Sequence, residues 1–352
     1  MKLRAKPITL KELAKILELS PATISRIVNG QGARYRIAEE TQQRVLRATA
    51  QHGYSANAVA RSLRANRTYT IGVILPEISE GYSTAVLSGI EDELLNNGFF
   101  YFVVSHRHRA ELLKEYPRLL LSRAVEGIIE IDTCIEQELP VPVIAVSGHK
   151  RREGVINIEL DHKEAARLAL SHLVSLGHQE IAFIRGQPFS SDTKHRWDAI
   201  VEAARGMNLA IDPRLVVQLQ SSEAGPGPGI EITRELLKTG VRFTALFAFN
   251  DVTAIGAILA LREADLRVPR DVSVLGFDDV SVAAINHPPL TTIHQPLRAM
   301  GQAAAATLLQ LIRNEIPHPR PSSIKMSPKL VVRKSTGHAG GKMGAGLKTF
   351  GL

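Results

Sequence analysis

Thr9–Asn29 reads TLKELAKILELSPATISRIVN, and its punctuation decides how the N-terminal part of the chain folds. Thr9 stands three residues before Glu12, the spacing of a capping box that opens a helix. Leu10, Leu13, Ala14 and Leu17 then recur along one helical face. The pattern stops at Leu19-Ser20-Pro21, where Ser20 suits an N-cap and Pro21 the first turn of a second helix. That helix buries Ile24, Ile27 and Val28 and turns Ala22, Thr23, Ser25, Arg26 and Asn29 outward. Two short helices and a tight turn, with a small, polar start to the second, predict a helix-turn-helix. The second helix of such a motif enters the major groove with its first residues at base edges. A third helix over 39–52, with Val45, Leu46 and Ala48, completes a three-helix core.

Charge agrees with that reading. Residues 1–67 hold 13 Lys or Arg against four acids, a net +9 that leaves the rest of the 352-residue chain at −1 of its total +8. A basic head on a near-neutral body is the footprint of a polyanion-binding domain joined to a different one. Between them lies NAVARSLR at 57–64, too short to be stably helical alone. A marginal basic helix carrying Arg61, Leu63 and Arg64 suits a hinge that folds on DNA and wedges Leu63 into a minor-groove step. A single cysteine, Cys134, excludes an internal disulfide framework. No apolar run approaches the ~20 residues of a membrane span, and no signal-peptide core follows the basic first residues. A cytoplasmic, nucleoid-associated protein is expected.

From 68 to 336, strand-length apolar runs alternate with helical patterns: 70–75 strand, 83–97 helix, 99–105 strand, 110–123 helix, 125–131 and 143–146 strands. A second half repeats the theme: 163–176 helix, 181–184 strand, 193–207 helix, 215–219 strand, 230–238 helix, 245–249 strand, 253–264 helix and 272–275 strand. Such alternation predicts an α/β body of two doubly wound parallel sheets. The Gly-rich end, 337–352, reads as a disordered tail.

Several stretches together resemble the LacI/GalR family of bacterial transcription regulators. They are Thr9–Asn29, GYSANAVARSLR at 53–64, IGVILP at 71–76, LGHQEIAF at 176–183, FND at 249–251, GFDD at 276–279 and PLTTI at 289–293. The resemblance covers about residues 8 to 336. It implies a homodimer, with a tetramer less expected for want of a leucine-heptad extension, on a pseudo-palindromic operator. It also implies a periplasmic-binding-protein-like core that closes on a small, sugar-like effector. The domains are then a head (1–56), a hinge helix (57–67) and a core. One core subdomain takes 68–160 and 296–322, the other 161–295 and 323–336. The expected DNA contacts are Thr9, Ser20, Pro21, Ala22, Thr23, Ser25, Arg26, Asn29, Tyr54, Asn57, Ala60, Arg61, Leu63 and Arg64.

In the cleft the resemblance points to Arg196, a fork of donors for hydroxyls or a carboxylate; Asn250 and Asp278 at strand ends and Asp161 near the crossover between the halves are further candidates. Asp251 reads equally as a helix cap, Asp279 as a turn residue, and Trp197 as cleft wall or core. Two departures stand out: Glu80-Gly81-Tyr82-Ser83 replaces a frequent Asn-Pro-Phe-Phe, and Ser147-Gly148 replaces a frequent Asp-Arg. Glu80, Tyr82 and Ser147 thus become candidate contacts for something other than a simple neutral hexose. His106-Arg107-His108 reads as exposed loop and the GPGPG run at 225–229 as a turn. Cys134 reads as an inert thiol. A solute-binding protein would show a signal peptide and no basic head. An enzyme would show a nucleophile–base pair or a phosphate loop, and none of the usual motifs is present. No cofactor or metal is implied.

Overall fold

The computed structural model describes residues 8–28, 30–52, 54, 67–78, 81–221, 223, 225–316 and 322–340. The chain divides into two compact units, Met1–Thr68 and Tyr69–Leu352.

In the first unit, α1 (Leu10–Leu17), α2 (Pro21–Val28) and α3 (Glu39–Gln51) form the three-helix head. The capping box is complete: Thr9 N donates to Glu12 at 2.7 Å, and Glu12 N donates to the Thr9 hydroxyl at 3.3 Å. Ser20 caps α2 by accepting from Thr23 N at 3.0 Å. Leu13, Ala14, Ile24, Ile27, Val45 and Ala48 make the core. Leu46 does not join it and is 50% exposed, because it stands about 100° round the helix from Val45. Turns over 32–36 link α2 to α3 and fold back so that the Arg26 guanidinium lies 4.0 Å from the centre of the Tyr35 ring.

The second unit has two halves of matching topology. The first sheet contains β1 (Thr70–Leu75), β2 (Phe100–Ser105), β3 (Gly127–Ile131), β4 (Val143–Val146), β5 (Val155–Leu160) and β11 (Ser322–Met326) in the order β11-β5-β4-β3-β1-β2. The second contains β6 (Ile181–Arg185), β7 (Val216–Gln218), β8 (Ala245–Ala248), β9 (Ser273–Asp278), β10 (Thr291–His294) and β12 (Lys329–Val331) in the order β12-β10-β9-β8-β6-β7. Every pairing is parallel except β10 with β12. Helices α4 (Tyr82–Asn96), α5 (Ala110–Ser122) and α11 (Leu297–Ile312) belong to the first half; α6 (His162–Ser175), α7 (Ser191–Gly206), α8 (Gly227–Lys238), α9 (Asp251–Glu263) and the short α10 (Ser281–Ile285) belong to the second. The chain therefore passes between the halves near 161, 295 and 327. Ligands of such sheets sit beyond the carboxyl ends of the strands, which here face one cleft.

The sequence reading lists no element beyond 275, so it misses β10, β11, β12, α10 and α11, and it needs further corrections. Strand β5 was not expected; its Asn157 and Glu159 alternate with buried Ile156, Ile158 and Leu160, so no continuous apolar run marks it. The return to the second half falls after Met326 rather than at 323, because β11 pairs with β5. The GPGPG run is more than a turn: α8 begins at Gly227. Residues 337–340 are not disordered: Gly337 O accepts from His178 Nε2 at 3.0 Å and Ala339 N donates to Leu176 O at 2.8 Å.

Glycine sets the closest helix contacts. A Cβ on Gly89 of α4 would lie 1.9 Å from Arg298 O of α11, and one on Gly301 of α11 would lie 2.0 Å from Val86 O of α4. Neither backbone can yield without separating the helices. Gly89→Ala is expected to cost about 1–3 kcal/mol by overpacking in urea unfolding. Gly206→Ala, with nothing within 4 Å of the added methyl, is expected to be neutral or slightly stabilising. Equal effects of the two changes would contradict the close-packing argument.

Candidate effector site and DNA-binding face

The cleft holds a cavity of about 930 Å³ with walls from both halves of the second unit. The first half contributes Tyr82 from the start of α4, Arg107 and His108 after β2, and Asp132 after β3. The second contributes Phe189, Asp192 and Arg196 around the start of α7, Asn250 before α9, and Asp278 at the end of β9. The halves meet at its edges. Gly81 comes close enough to Val280 that an added Cβ would sit 3.1 Å from the valine side chain. The His108 and Phe189 rings lie 3.9 Å apart, centre to centre.

Asp192 organises the floor. Its Oδ2 accepts from Arg196 at 2.9 Å, and its Oδ1 accepts from His162 at 3.3 Å and from His149 at closer range. Arg196 is only 4% exposed. It also donates to Phe249 O, and its guanidinium lies 4.4 Å from the Phe249 ring centre and 3.7 Å from that of Phe277. Burial pushes the Asp192 carboxyl up, but the two histidines together outweigh it and hold the group well below the usual carboxylate range. Burial likewise lowers His149, yet its hydrogen bond to Asp192 and the Glu159 carboxylate 3.6 Å away raise it on balance to about 9. The pair is therefore ionised at neutral pH and spans the two halves.

A second bridge lies beside it. Asp132 accepts from Ser191 N at 3.0 Å, from the Ser191 hydroxyl at 2.7 Å and from the Ser190 hydroxyl at 3.3 Å. A carboxylate of one half thus caps the first turn of α7 in the other. Burial raises Asp132 to about 6, with the charge of Asp192 adding to the effect.

The expected cleft residues separate into groups. Arg196, Asn250, Asp278 and Tyr82 line the cavity. Asn250 also caps α9, accepting from Thr253 N at 2.8 Å. Asp278 accepts from Gln295 at 2.6 Å, and burial raises it to about 7 against the pull of Arg196. Ser147 lies one layer back, fully buried, and accepts from the Tyr82 hydroxyl at 2.7 Å. Asp161 is a cap, accepting from Glu164 N at 3.2 Å at the start of α6, and does not line the cavity. Trp197 packs edge-on to Phe183 in the core of the second half. Asp251 neither caps its own helix nor faces the cavity; it accepts from Val280 N at 2.9 Å and from the Thr292 hydroxyl at 2.5 Å. Asp279 pairs with Arg333 at 2.6 Å and His294 at 3.0 Å. Glu80 lies outside the described residues.

Sequence reasoning missed His149, Asp192, Asp132, Phe189 and the 106–108 segment. That segment is no free loop: His106 is buried against Thr133 at 3.1 Å, and Arg107 and His108 face the cavity. Asp192 carried a usable signal, standing four residues before Arg196 on one helical face. His149 carried none, since its partners lie 43 and 10 residues away.

On the head, Thr9, Ser20, Pro21, Ala22 and Arg26 are exposed, and Thr23 and Ser25 half-buried. Tyr54 packs against the three-helix core instead of standing free. Asn29, Asn57, Ala60, Arg61, Leu63 and Arg64 lie outside the described residues.

A helix-turn-helix head with a two-lobed, cleft-bearing body defines a DNA-binding regulator with a small-molecule effector site. Residues 9–57 match the model of bacterial regulatory proteins of the lacI family, and residues 170–336 match that of a periplasmic binding protein-like domain. The HTH-type transcriptional repressor PurR of Aliivibrio fischeri strain MJ11 is 32% identical over 335 residues, covering 93% of this chain and 98% of PurR. The PurR of Pasteurella multocida strain Pm70 is 32% identical over 338 residues, with the same coverage of both chains. Among solved structures, the lac repressor dimer bound to operator and the anti-inducer ONPF superposes with a TM-score of 0.81 at 27% identity, covering 94% of this chain and 100% of that one. The complex of the transcriptional regulator CelR with cellobiose gives 0.69 at 26% identity, covering 93% and 99%. The chain belongs to the LacI family of bacterial regulatory proteins. Among the described residues, no helix is long and apolar enough to cross a membrane.

The buried carboxyls make stability depend on pH. Burial, then the charges of Asp278 and Asp279, raise Asp251 from 3.8 to about 8. Between those values the folded form holds a proton that the unfolded form has released, so this group's contribution declines as pH rises from about 4 to about 8. Asp251→Asn removes the titration. The stability of the variant relative to the parent should climb across that window in urea unfolding, and a flat difference would mean that Asp251 is ionised throughout.

Proposed function

We propose that this protein is a repressor that binds a pseudo-palindromic operator as a homodimer through residues 1–67. We further propose that a polyhydroxylated ligand larger than one sugar ring, held in the cleft, changes operator affinity. The cavity carries the reading. At about 930 Å³ it stands near the top of the usual ~300–1,000 Å³ range for ligand sites, and it pairs acceptors with an aromatic face. Asp278 and Asp132 offer oxygens for hydroxyl donors, and Phe189, 44% exposed, offers a face on which a sugar ring can stack. The cellobiose bound to CelR and the operator bound to the lac repressor dimer support the same assignment. A ligand must bind the open and closed states unequally to act, so a coupling of about 1–3 kcal/mol is expected. Cytoplasmic action on the nucleoid belongs to the same proposal.

The test is a thermal-shift screen of mono- and oligosaccharides, amino sugars and sugar acids, followed by operator retardation with each hit. Phe189→Ala is expected to weaken the hit at least tenfold while leaving ligand-free operator binding intact; unchanged affinity would remove Phe189 from the site. Arg196→Ala makes a poorer probe. It strips a buried partner from Asp192 and should cost about 3–5 kcal/mol of body stability besides abolishing the response. Operator affinity itself should fall with salt at a log–log slope of roughly −5 or steeper, because phosphate contacts release counterions. Leu63→Ala should weaken operator binding far more than random-DNA binding, since a wedge matters only where the duplex kinks.

A further inference from the structure

A second pocket, of about 270 Å³, opens at the junction of the two halves and shares no lining residue with the effector cavity. His149, Glu159 and His195 line it, and His149 leads from it to Asp192 and His162. We propose that His149, His162 and Asp192 bind a borderline divalent cation, Zn²⁺ foremost, which ties the halves together.

The donor atoms of these three residues all lie within 4.8 Å of one another. A tetrahedral Zn²⁺ with bonds of about 2.0–2.2 Å needs donors roughly 3.3–3.6 Å apart, so only small side-chain adjustments separate the arrangement from a coordination sphere. Two imidazole nitrogens and one carboxylate oxygen are a set that such ions accept, with water completing the sphere; the ion replaces the proton that His149 Nε2 donates to Asp192, and that proton leaves to solvent. The orienting groups are also in place. Glu159 stands 3.6 Å from His149 Nδ1, which aims Nε2 at Asp192. Arg196 holds Asp192 Oδ2 at 2.9 Å, leaving Oδ1 to the histidines. Metal-bound histidines and carboxylates are fixed in the same way by an outer layer of partners. The three side chains are 5–8% exposed, and the pocket supplies an entry path. Among the described residues, His162 has no hydrogen bond but the one to Asp192, and its buried Nδ1 is unpartnered. That ring gains little from its position as a hydrogen-bonding group, whereas a metal bond at Nε2, which faces Asp192, would explain its burial.

The origin of the donors gives the site its consequence. His149 follows β4 in the first half; His162 and Asp192 belong to the second. An ion held by all three is bound fully only when the halves meet, so it favours that arrangement by mass action.

The test uses the untagged full-length protein, stripped of metal with a chelator. Titration with Co²⁺ should give saturable visible absorption from one four- or five-coordinate ion per chain, abolished by Zn²⁺, and Zn²⁺ should raise the melting temperature by several degrees. His162→Gln and His149→Gln should each lose the spectrum and the melting shift. X-ray absorption at the zinc edge of the unmutated protein counts imidazoles without relying on any variant, and two are expected. No saturable uptake, a spectrum retained in both variants, or an imidazole count other than two would each overturn the proposal.

Discussion

One buried carboxylate sets the terms for the body of this protein. Asp192 is almost wholly enclosed, and an unpaired charge in such a place costs several kcal/mol. Arg196, His162 and His149 together offset that cost, and only the first two share its half of the molecule. Separation of the halves would therefore remove a cation and admit water at the same moment. The closed cleft is in this sense an electrostatic state as much as a packed one. Arg196 cannot serve the ligand alone, because it is already held by Asp192, Phe249 O and two aromatic faces. Its part in recognition is that of a fixed wall against which other donors and acceptors work.

The rest of the body keeps that junction exact enough to function. Both sheets have the same strand order about their central pair, and both direct strand ends into the cleft. Each half also contains a helix pair brought together by glycines: Gly89 and Gly301 in the first, Gly229 and Gly256 in the second, where an added Cβ would fall 2.3–2.5 Å from a carbonyl oxygen. Helices this close move as one body. Relative motion is left to the crossings near 161, 295 and 327.

Much of this was legible in the residues. Capping chemistry placed α1 and α2 because Thr9, Glu12, Ser20 and Pro21 act within a few residues of themselves, and periodicity placed most strands because they are buried on both faces. What escaped has a common physical cause. Strand β5 alternates polar and apolar residues, so its burial depends on β4 and β11, not on its own composition. His149 and Asp132 reach across to Asp192 and Ser191, each more than 40 residues away, and nothing local distinguishes them from loop residues. Asp161 erred in the opposite direction: a carboxylate near the crossover suits a sugar site, but the start of a helix competes for the same oxygens and here prevails, while Asp251, left open between cleft and cap, serves neither. The His106–His108 segment was misread because hydrophilic composition resembles exposure, whereas a polar cavity wall has the same composition.

The cap that Asp132 places on α7 has a kinetic side. The Ser191 amide is hydrogen-bonded to an acceptor in the other half, while the amides deeper in α7 bond within their own helix. Whenever the halves part, this proton loses its acceptor and meets solvent, without any unfolding of the helix that carries it. Its exchange rate is thus a clock for cleft opening, separable from the slower exchange of the core. The closed fraction with and without ligand is written in the protection of a single backbone site.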